Sequence, residues 1–151
     1  MELRGQSHCG AVQVEMQLRS PPEKLRVLAC QCGFCRRHGS VAVADPEGET
    51  VFLVERPEDL NRYMFGARTA EFQTCAHCGV YVGAIVAADD GYRSLVNVSG
   101  TGIAAFGHRR PEEVLYDDEP VQSRIDRRKK NWTPTRVEFS AAPRGGIAEA
   151  R

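Results

Sequence analysis

Alternation of hydrophobic and polar residues predicts strands along the first two thirds of the chain. Val12, Val14 and Met16 alternate with polar residues at positions 13, 15 and 17, the period of a half-buried strand. Residues 25–29 predict a second strand that runs directly into a group of cysteines. Before residue 103 no apolar pattern supports a helix of about 11 residues or more, a lack that is unusual for a globular protein.

Further short apolar segments extend this pattern. Residues 41–44 and 50–54 predict a hairpin, because Asp, Pro and Gly in the segment 45–48 between them are typical of a turn. Proline and acidic residues at 57–60 indicate a short helical turn. The remaining predicted strands lie at 62–65, 70–74, 80–86 and 95–98. The predicted fold class is therefore mainly β, with few short helices.

Composition and charge narrow the class of protein. The 151 residues suit one domain, which we place at 1–140, followed by a flexible tail at 141–151. The formal net charge is zero, and this disfavours a nucleic-acid or membrane partner. A basic run at 124–130 would serve as an anion or nucleic-acid patch, but zero net charge favours a solvated face. Since we find neither an apolar run of ~20 residues nor a signal pattern, we expect a cytoplasmic location.

The six cysteines carry the clearest chemical signal. Cys30, Cys32 and Cys35 form a Cys-x-Cys-x-x-Cys group, and Cys75 and Cys78 form a Cys-x-x-Cys knuckle. The sixth cysteine, Cys9, stands alone near the start of the sequence. Such spacing is typical of metal ligation. Disulfides are the alternative interpretation, which a reducing cytosol disfavours.

The geometry of a strand and a turn suggests how the thiols would group. Cys30 and Cys32 lie two residues apart and would face the same side of a strand, and Gly33 permits a turn that returns Cys35 to them. Three thiolates leave a fourth position open, the property that separates catalytic zinc from structural zinc. The spacing therefore indicates at least one zinc site.

The second group needs ligands from elsewhere in the chain. Gly79 would let the backbone of the Cys75–Cys78 knuckle turn so that its N–H groups bond the sulfurs, and Cys9 is the best candidate for a third ligand. A rival pairing joins both Cys-x-x-Cys units in one four-cysteine site and leaves Cys9 and Cys30 as buried free thiols. Spacing alone leaves both pairings open.

Four segments resemble one known family. They are 5–12 (GQSHCGAV), 30–39 (CQCGFCRRHG), 72–79 (FQTCAHCG) and 97–101 (NVSGT). In their order and content they are similar to the glutathione-dependent formaldehyde-activating (GFA, CENP-V-like) family, over roughly residues 5–132.

The resemblance implies a mainly β, zinc-organised fold of the β-tent (Mss4-like) type with antiparallel sheets. It also implies the split pairing: a catalytic zinc at Cys30, Cys32 and Cys35, and a structural zinc at Cys9, Cys75 and Cys78. The implied reaction is that of a carbon–sulfur lyase, in which a small thiol such as glutathione combines with an aldehyde such as formaldehyde to give S-hydroxymethylglutathione.

One position departs from the family pattern. Ser7 stands where the family usually has a cysteine, which leaves the structural site with three sulfurs. Ser7 would lie on the Cys9 face of a regular strand. His77 is a further candidate donor, although a loop histidine with no metal role is the favoured interpretation. We expect weaker metal affinity at this site than is usual for the family.

Other residues are weaker candidates for binding the substrate or moving a proton at the metal site. Arg36 and Arg37 could grip a carboxylate of the thiol, or simply carry surface charge. His38 could move a proton, or be an exposed loop histidine. Trp132 could line a pocket, or serve only in packing.

Three classes of function therefore remain in view. The first is the zinc-dependent carbon–sulfur lyase. The second is a non-enzymatic zinc module for protein or nucleic-acid interaction, since a fold does not fix a function. The third is redox sensing through the Cys-x-x-Cys pairs.

Overall fold

Strands dominate the part of the chain that the computed structural model describes, residues 1–140, and the mainly β prediction is confirmed. The tail predicted at 141–151 lies outside the described residues. The strands are β1 (Glu2–Gln6), β2 (Val12–Gln17), β3 (Leu28–Cys30), β4 (Ala42–Val43), β5 (Glu49–Val54), β6 (Leu60–Tyr63), β7 (Glu71–Cys75), β8 (Tyr81–Ala88), β9 (Gly91–Asn97), β10 (Glu112–Val114) and β11 (Thr133–Phe139). The helices are α1 (Gly33–Arg37) and α2 (Val121–Asn131). No helix in residues 1–140 is long and apolar enough to cross a bilayer.

The strands form one open, mixed sheet that branches at β9. The main path runs β1-β2-β5-β11-β9-β4-β3-β10, and β8, β7 and β6 continue in that order from β9. Pairing is antiparallel except between β10 and β3 and between β11 and β5. The β3 strand therefore ends, at Cys30, beside the short strand β10.

Residues 1–140 contain two separate hydrophobic cores, and each includes cysteines. The larger core includes Cys9 and Cys75 among aliphatic residues such as Val12 and Val82. The smaller core includes Cys35, Tyr81 and Trp132, with Cys30 and Cys32 packed against it. The cysteines are thus divided between two hydrophobic environments.

The predicted hairpin of residues 41–44 and 50–54 is wrong. Both strands exist, but β4 pairs with β3 and β9, whereas β5 pairs with β2 and β11. The turn between them is present, with the Gly48 N–H donating to the Asp45 carbonyl at 3.0 Å. Burial of Asp45 explains the difference, because its side chain ties the turn to the segment after β2 rather than closing a hairpin.

Strands β1, β10 and β11 and helix α2 had no counterpart in the prediction. Strand β1 pairs with β2 along its whole length, although its residues alternate between exposed and half-buried positions with only one aliphatic side chain, Leu3. Helix α2 spans the basic run and has no fully buried residue. Neither segment has a strong apolar pattern, so their structure depends on tertiary pairing.

The buried carboxylate of Asp45 gives the first testable prediction. Its Oδ2 accepts hydrogen bonds from the N–H groups of Arg19 (2.8 Å) and Ser20 (2.9 Å), and its Oδ1 accepts from the Ser20 hydroxyl (2.8 Å) and the Glu47 N–H (3.1 Å). Burial alone would raise the pKa of Asp45, but these donors together hold it below its usual value. Asp45→Asn should lower the free energy of unfolding by about 2 kcal/mol near pH 7, because an amide cannot accept from every donor.

The pH dependence follows from the direction of that shift. Since the folded-state pKa of Asp45 is lower than the unfolded one, its stabilisation is present above pH ~4 and is lost as the pH falls through the folded value. Denaturant unfolding at pH 7 and pH 3 measures both effects. The wild-type and variant proteins should converge at low pH, and an equal difference at both pH values would contradict this role.

Candidate metal centres and the adjoining cavity

The structure brings the six cysteine sulfurs together in two groups of three. One group is Cys30, Cys32 and Cys35, which we call the cavity cluster; the other is Cys9, Cys75 and Cys78, which we call the core cluster. Within each group the sulfurs lie within 4.8 Å of one another. The rival pairing, in which residues 32, 35, 75 and 78 share one site, is therefore wrong for this structure.

The cavity cluster is assembled by the end of β3 and the start of α1. Cys30 is the last residue of β3, and Cys32 is the N-cap of α1, whose sulfur accepts a hydrogen bond from the Cys35 N–H at 3.4 Å. Gly33 begins the helix, so the sequence-based expectation of a tight turn at Gly33 is replaced by a helical turn. That turn places Cys35 one helical turn from the N-cap, on the same side.

Hydrogen bonds within the cavity cluster give the three thiols different pKa values. Donation from the Cys30 and Cys35 thiols, aided by backbone N–H groups, strongly lowers the pKa of Cys32. The bond to Cys32 raises the pKa of Cys30, and the bonds to Cys30 and Cys32 together with burial raise that of Cys35. Cys32 is therefore the thiol that ionises first.

A cavity of about 120 Å³ opens directly onto the cavity cluster. Its wall is largely apolar, with aromatic rings on one side. Burial raises the pKa of Tyr81, whose ring lies in this wall, so its hydroxyl stays protonated. The main lining residues besides the three cysteines are Leu28, Ser40, Phe65, Phe72, Tyr81, Leu95, Arg124, Arg127, Arg128 and Trp132.

Three arginines of α2 face this cavity. Arg124, Arg127 and Arg128 lie at the i, i+3 and i+4 spacing of one helical face. Arg127 and Arg124 share the carboxylate of Glu119, with N–O distances of 3.0 and 3.7 Å. The interpretation of the run 124–130 as a solvated face is therefore wrong for these three side chains, and helical spacing was the signal that could have identified them.

The core cluster is built on two turns that each end in a left-handed glycine. Gly10 (φ 84°) follows Cys9, and Gly79 (φ 78°) follows Cys78. Burial would raise the pKa of Cys78, but backbone N–H groups of Val80 and Cys9 and the neighbouring thiols lower it to about 7. The expected role of Gly79, to turn the backbone N–H groups towards sulfur, matches this geometry.

Ser7 lies beside the core cluster, whereas His77 points elsewhere. Ser7 is fully buried, with its Oγ 3.8 Å from the Cys9 sulfur, and it accepts a hydrogen bond from the Val12 N–H at 3.2 Å. His77 places Nε2 2.7 Å from Asp59 Oδ1, so this nitrogen is engaged by the carboxylate. Ser7 is thus the side chain placed to act as the fourth donor.

Of the other residues that the sequence suggested near the cysteines, some line the cavity and others do not. Arg36, Arg37 and His38 are exposed at the end of α1 and do not line the cavity. The Arg37 guanidinium donates to the Gly33 carbonyl at 2.8 Å, and the His38 ring lies 4.5 Å from the Phe34 ring centroid. Trp132 is buried and lines the cavity, in agreement with the interpretation that it lines a pocket.

The segment 97–101 has a structural role between the two clusters. Asn97 is buried; its amide donates to the Tyr81 carbonyl at 2.9 Å and accepts from the Val41 N–H at 3.1 Å. The Thr101 carbonyl accepts from the Gln6 N–H at 2.9 Å, which ties the end of β1 to this segment. The segment therefore joins the wall of the cavity to the strand that immediately precedes Ser7.

Both clusters fit a thiophilic metal ion. Zinc–sulfur bonds of ~2.3 Å in a tetrahedron place sulfurs ~3.8 Å apart, within the observed limit of 4.8 Å. The core cluster has a fourth oxygen donor and is enclosed by the larger core, whereas the cavity cluster has three donors and meets an open cavity. The donor sets thus match a closed and an open metal site, respectively.

Substituting Ser7 tests the closed site. Ser7→Cys should supply a fourth thiolate and slow metal loss to a chelator about tenfold or more, because thiolate binds soft metals better than a hydroxyl does. Release is followed with a colorimetric chelator. Ser123→Cys, at an exposed position of α2, controls for an added thiol, and equal release rates in wild-type and Ser7→Cys protein would contradict the prediction.

Together the fold and the site define a mainly β protein with two groups of three cysteines, one of which opens on a cavity. No family model and no curated protein matches the chain. The crystal structure of a Rhodobacter sphaeroides protein, a Northeast Structural Genomics target, matches with a TM-score of 0.54 and 30% sequence identity, covering 74% of this chain and 99% of that one. This chain belongs to the same family as that protein. That description names no activity, so the likeness supports the fold alone.

Proposed function

We propose that the protein is a zinc-dependent carbon–sulfur lyase that acts on the adduct of a small thiol and an aldehyde. Formaldehyde with glutathione is the pair that the resemblance to the GFA family suggests. The observation that carries the proposal is the position of the cavity cluster: three thiols that can hold a metal ion on one wall of a largely apolar cavity.

In this proposal Cys30, Cys32 and Cys35 hold the catalytic zinc, and Cys9, Cys75 and Cys78, with Ser7, hold a structural one. A β-tent arrangement of the strands accompanies both sites. Zinc bound by three thiolates supplies affinity for a fourth sulfur and lowers the pKa of a bound thiol from its free value of ~8.5.

The residues around the cluster have defined tasks. The apolar wall excludes water, which would otherwise compete with the thiol by adding to the aldehyde and forming its hydrate. Ser40 and Tyr81 line the cavity and carry neutral hydroxyls that can bond the oxygen of the adduct. In the overall reaction the S–H bond and the carbonyl π bond are replaced by a C–S bond and an O–H bond, and the reverse direction restores them.

The cavity limits the size of the reacting part. A volume of about 120 Å³ holds only a small fragment, but an adjoining groove of about 550 Å³ shares Leu28, Tyr116 and Trp132 with the cavity wall. A peptide-sized thiol would place its sulfur in the cavity and its remaining atoms in the groove. The inward-facing arginines weaken the alternative of a nucleic-acid module, because they direct the basic run towards the cavity.

The test is acceleration of adduct formation over the uncatalysed rate. Zinc-loaded protein is mixed with formaldehyde and one of several thiols. NMR then measures the rate at which the thiol exchanges between its free and hydroxymethylated forms. Faster exchange that depends on the cavity cluster is the expected result. Equal rates with and without protein for every thiol would defeat the proposal for this aldehyde.

A further inference from the structure

Arg128 is a partly buried cation that forms no ion pair with a carboxylate of residues 1–140. Its Nη1 donates to the Thr69 hydroxyl at 2.7 Å, and its guanidinium carbon lies 5.2 Å from the Trp132 ring centroid. Its Nε is buried without a hydrogen-bond partner in the described part of the chain, and no carboxylate of residues 1–140 forms an ion pair with it. Burying a charge in this way is costly unless an opposite charge compensates it.

The neighbouring arginines differ from Arg128 in this respect. Arg127 and Arg124 both contact Glu119, and Arg127 also stacks on Tyr116 with its guanidinium carbon 3.7 Å from the ring centroid. Burial, reinforced by these two arginines, lowers the pKa of Arg128 to about 10, so it remains charged near pH 7. Three arginines thus share one glutamate, and the charge left uncompensated is at Arg128.

The position of Arg128 relates this charge to the cysteines. Arg128 and the cavity cluster line the same cavity, and Tyr81 lies near enough to both to interact electrostatically with each. Ser40, which lines the same cavity, has a buried hydroxyl that lacks a partner in residues 1–140. The cavity therefore presents sulfur ligands, a hydroxyl and an unpaired cation to a single small ligand.

We propose that Arg128 determines the specificity of this cavity by binding a carboxylate of the thiol whose sulfur lies at the cavity cluster. This role of Arg128 rests on the proposed function, because the sulfur end uses the same cysteines. Arginine suits the task, since its planar guanidinium can bind a carboxylate through two parallel N–H donors. The carboxylate would supply the opposite charge that residues 1–140 do not place in contact with Arg128.

The test compares two thiols that differ mainly in charge, 3-mercaptopropionate and 2-mercaptoethanol. Binding to zinc-loaded protein is measured by calorimetry and by fluorescence of Trp132, the single tryptophan. The acid should bind about tenfold more tightly than the alcohol, the size expected for one charge-assisted contact. Arg128→Gln should abolish this preference by weakening the acid alone, and Arg128→Lys should restore part of it.

Controls separate this inference from the proposed function. Arg110→Gln, at an exposed position away from the cavity, should bind both thiols as wild type does, and thermal melts confirm that each variant is folded. Equal affinity for the two thiols in wild type, no binding of either, or a preference that survives in Arg128→Gln would overturn the inference. If the acid is preferred through Arg128 but formaldehyde exchange is not accelerated, the ligand class stands and the lyase proposal fails.

Discussion

Cys32→Ala is expected to remove one of two metal ions per chain and to slow thiol–formaldehyde exchange at least ~100-fold, while the protein remains folded. Cys32 is the thiol with the lowered pKa and accepts hydrogen bonds from both partners in the cavity cluster. Two remaining sulfurs hold zinc poorly, and loss of a group that acts on the reacting atoms typically costs this much or more. The fold should persist because this cluster packs against only the smaller core.

Metal content by mass spectrometry and the exchange rate measure the two effects on one sample. Gln31→Ala is the matched control, since it lies between two of the cysteines but turns its amide to the Ala29 carbonyl at 2.9 Å. The control should retain two metal ions and wild-type exchange. Cys32→Ala protein that exchanges thiol as fast as the control would exclude the cavity cluster as the reaction site.

Cys75→Ala is expected to have the larger effect on stability and to leave the chain largely unfolded at 37 °C. Cys75 is 1% exposed and its sulfur lies 3.5 Å from that of Cys9 inside the larger core. Binding of a structural metal contributes on the order of 10 kcal/mol to folding in small zinc domains, comparable with the whole stability of an ordinary domain. Removal of one ligand should therefore exceed the stability margin.

Circular dichroism and the dispersion of the NMR spectrum measure the folded fraction. Ala76→Ser changes an exposed neighbour in the same knuckle and should melt as wild type does. A second measurement needs no variant: a chelator should remove one metal quickly from folded protein and the other slowly, together with unfolding. A Cys75→Ala protein that melts near the wild-type temperature would contradict a structural role for the core cluster.

The sequence predicted the elements whose patterns are local. Alternation at Val12, Val14 and Met16 located β2, and the absence of long helices before residue 103 agrees with the five-residue α1. The pairing of β4 and β5 was missed, because hairpin signals describe the turn and not the partners that each strand finds. Strand β1 was missed because a half-exposed edge strand lacks strong alternation.

At the site, sequence spacing identified the six cysteines as candidate metal ligands, but it did not identify the residues that surround them. The grouping of Cys9 with the knuckle depends on the turn between β1 and β2 meeting the end of β7, where the Cys9 and Cys75 sulfurs lie 3.5 Å apart. No local pattern encodes this long-range contact. Arg36 and Arg37 are candidates because they lie next to the cluster in sequence, with surface charge as the alternative, whereas the structure places Arg124, Arg127 and Arg128 at the cavity. Helix α2, about 90 positions further along the chain, supplies them. Their helical spacing places them on one face, but only the packing of that helix against the sheet shows that this face meets the cavity.

The most direct measurement is anomalous X-ray scattering at the zinc edge from crystals of protein purified without chelator. The account predicts two peaks, one among Cys9, Cys75 and Cys78 and one among Cys30, Cys32 and Cys35, the second with a coordination position turned to the cavity. A single peak at the core cluster, with the sulfurs of the cavity cluster joined in a disulfide or dispersed, would contradict it.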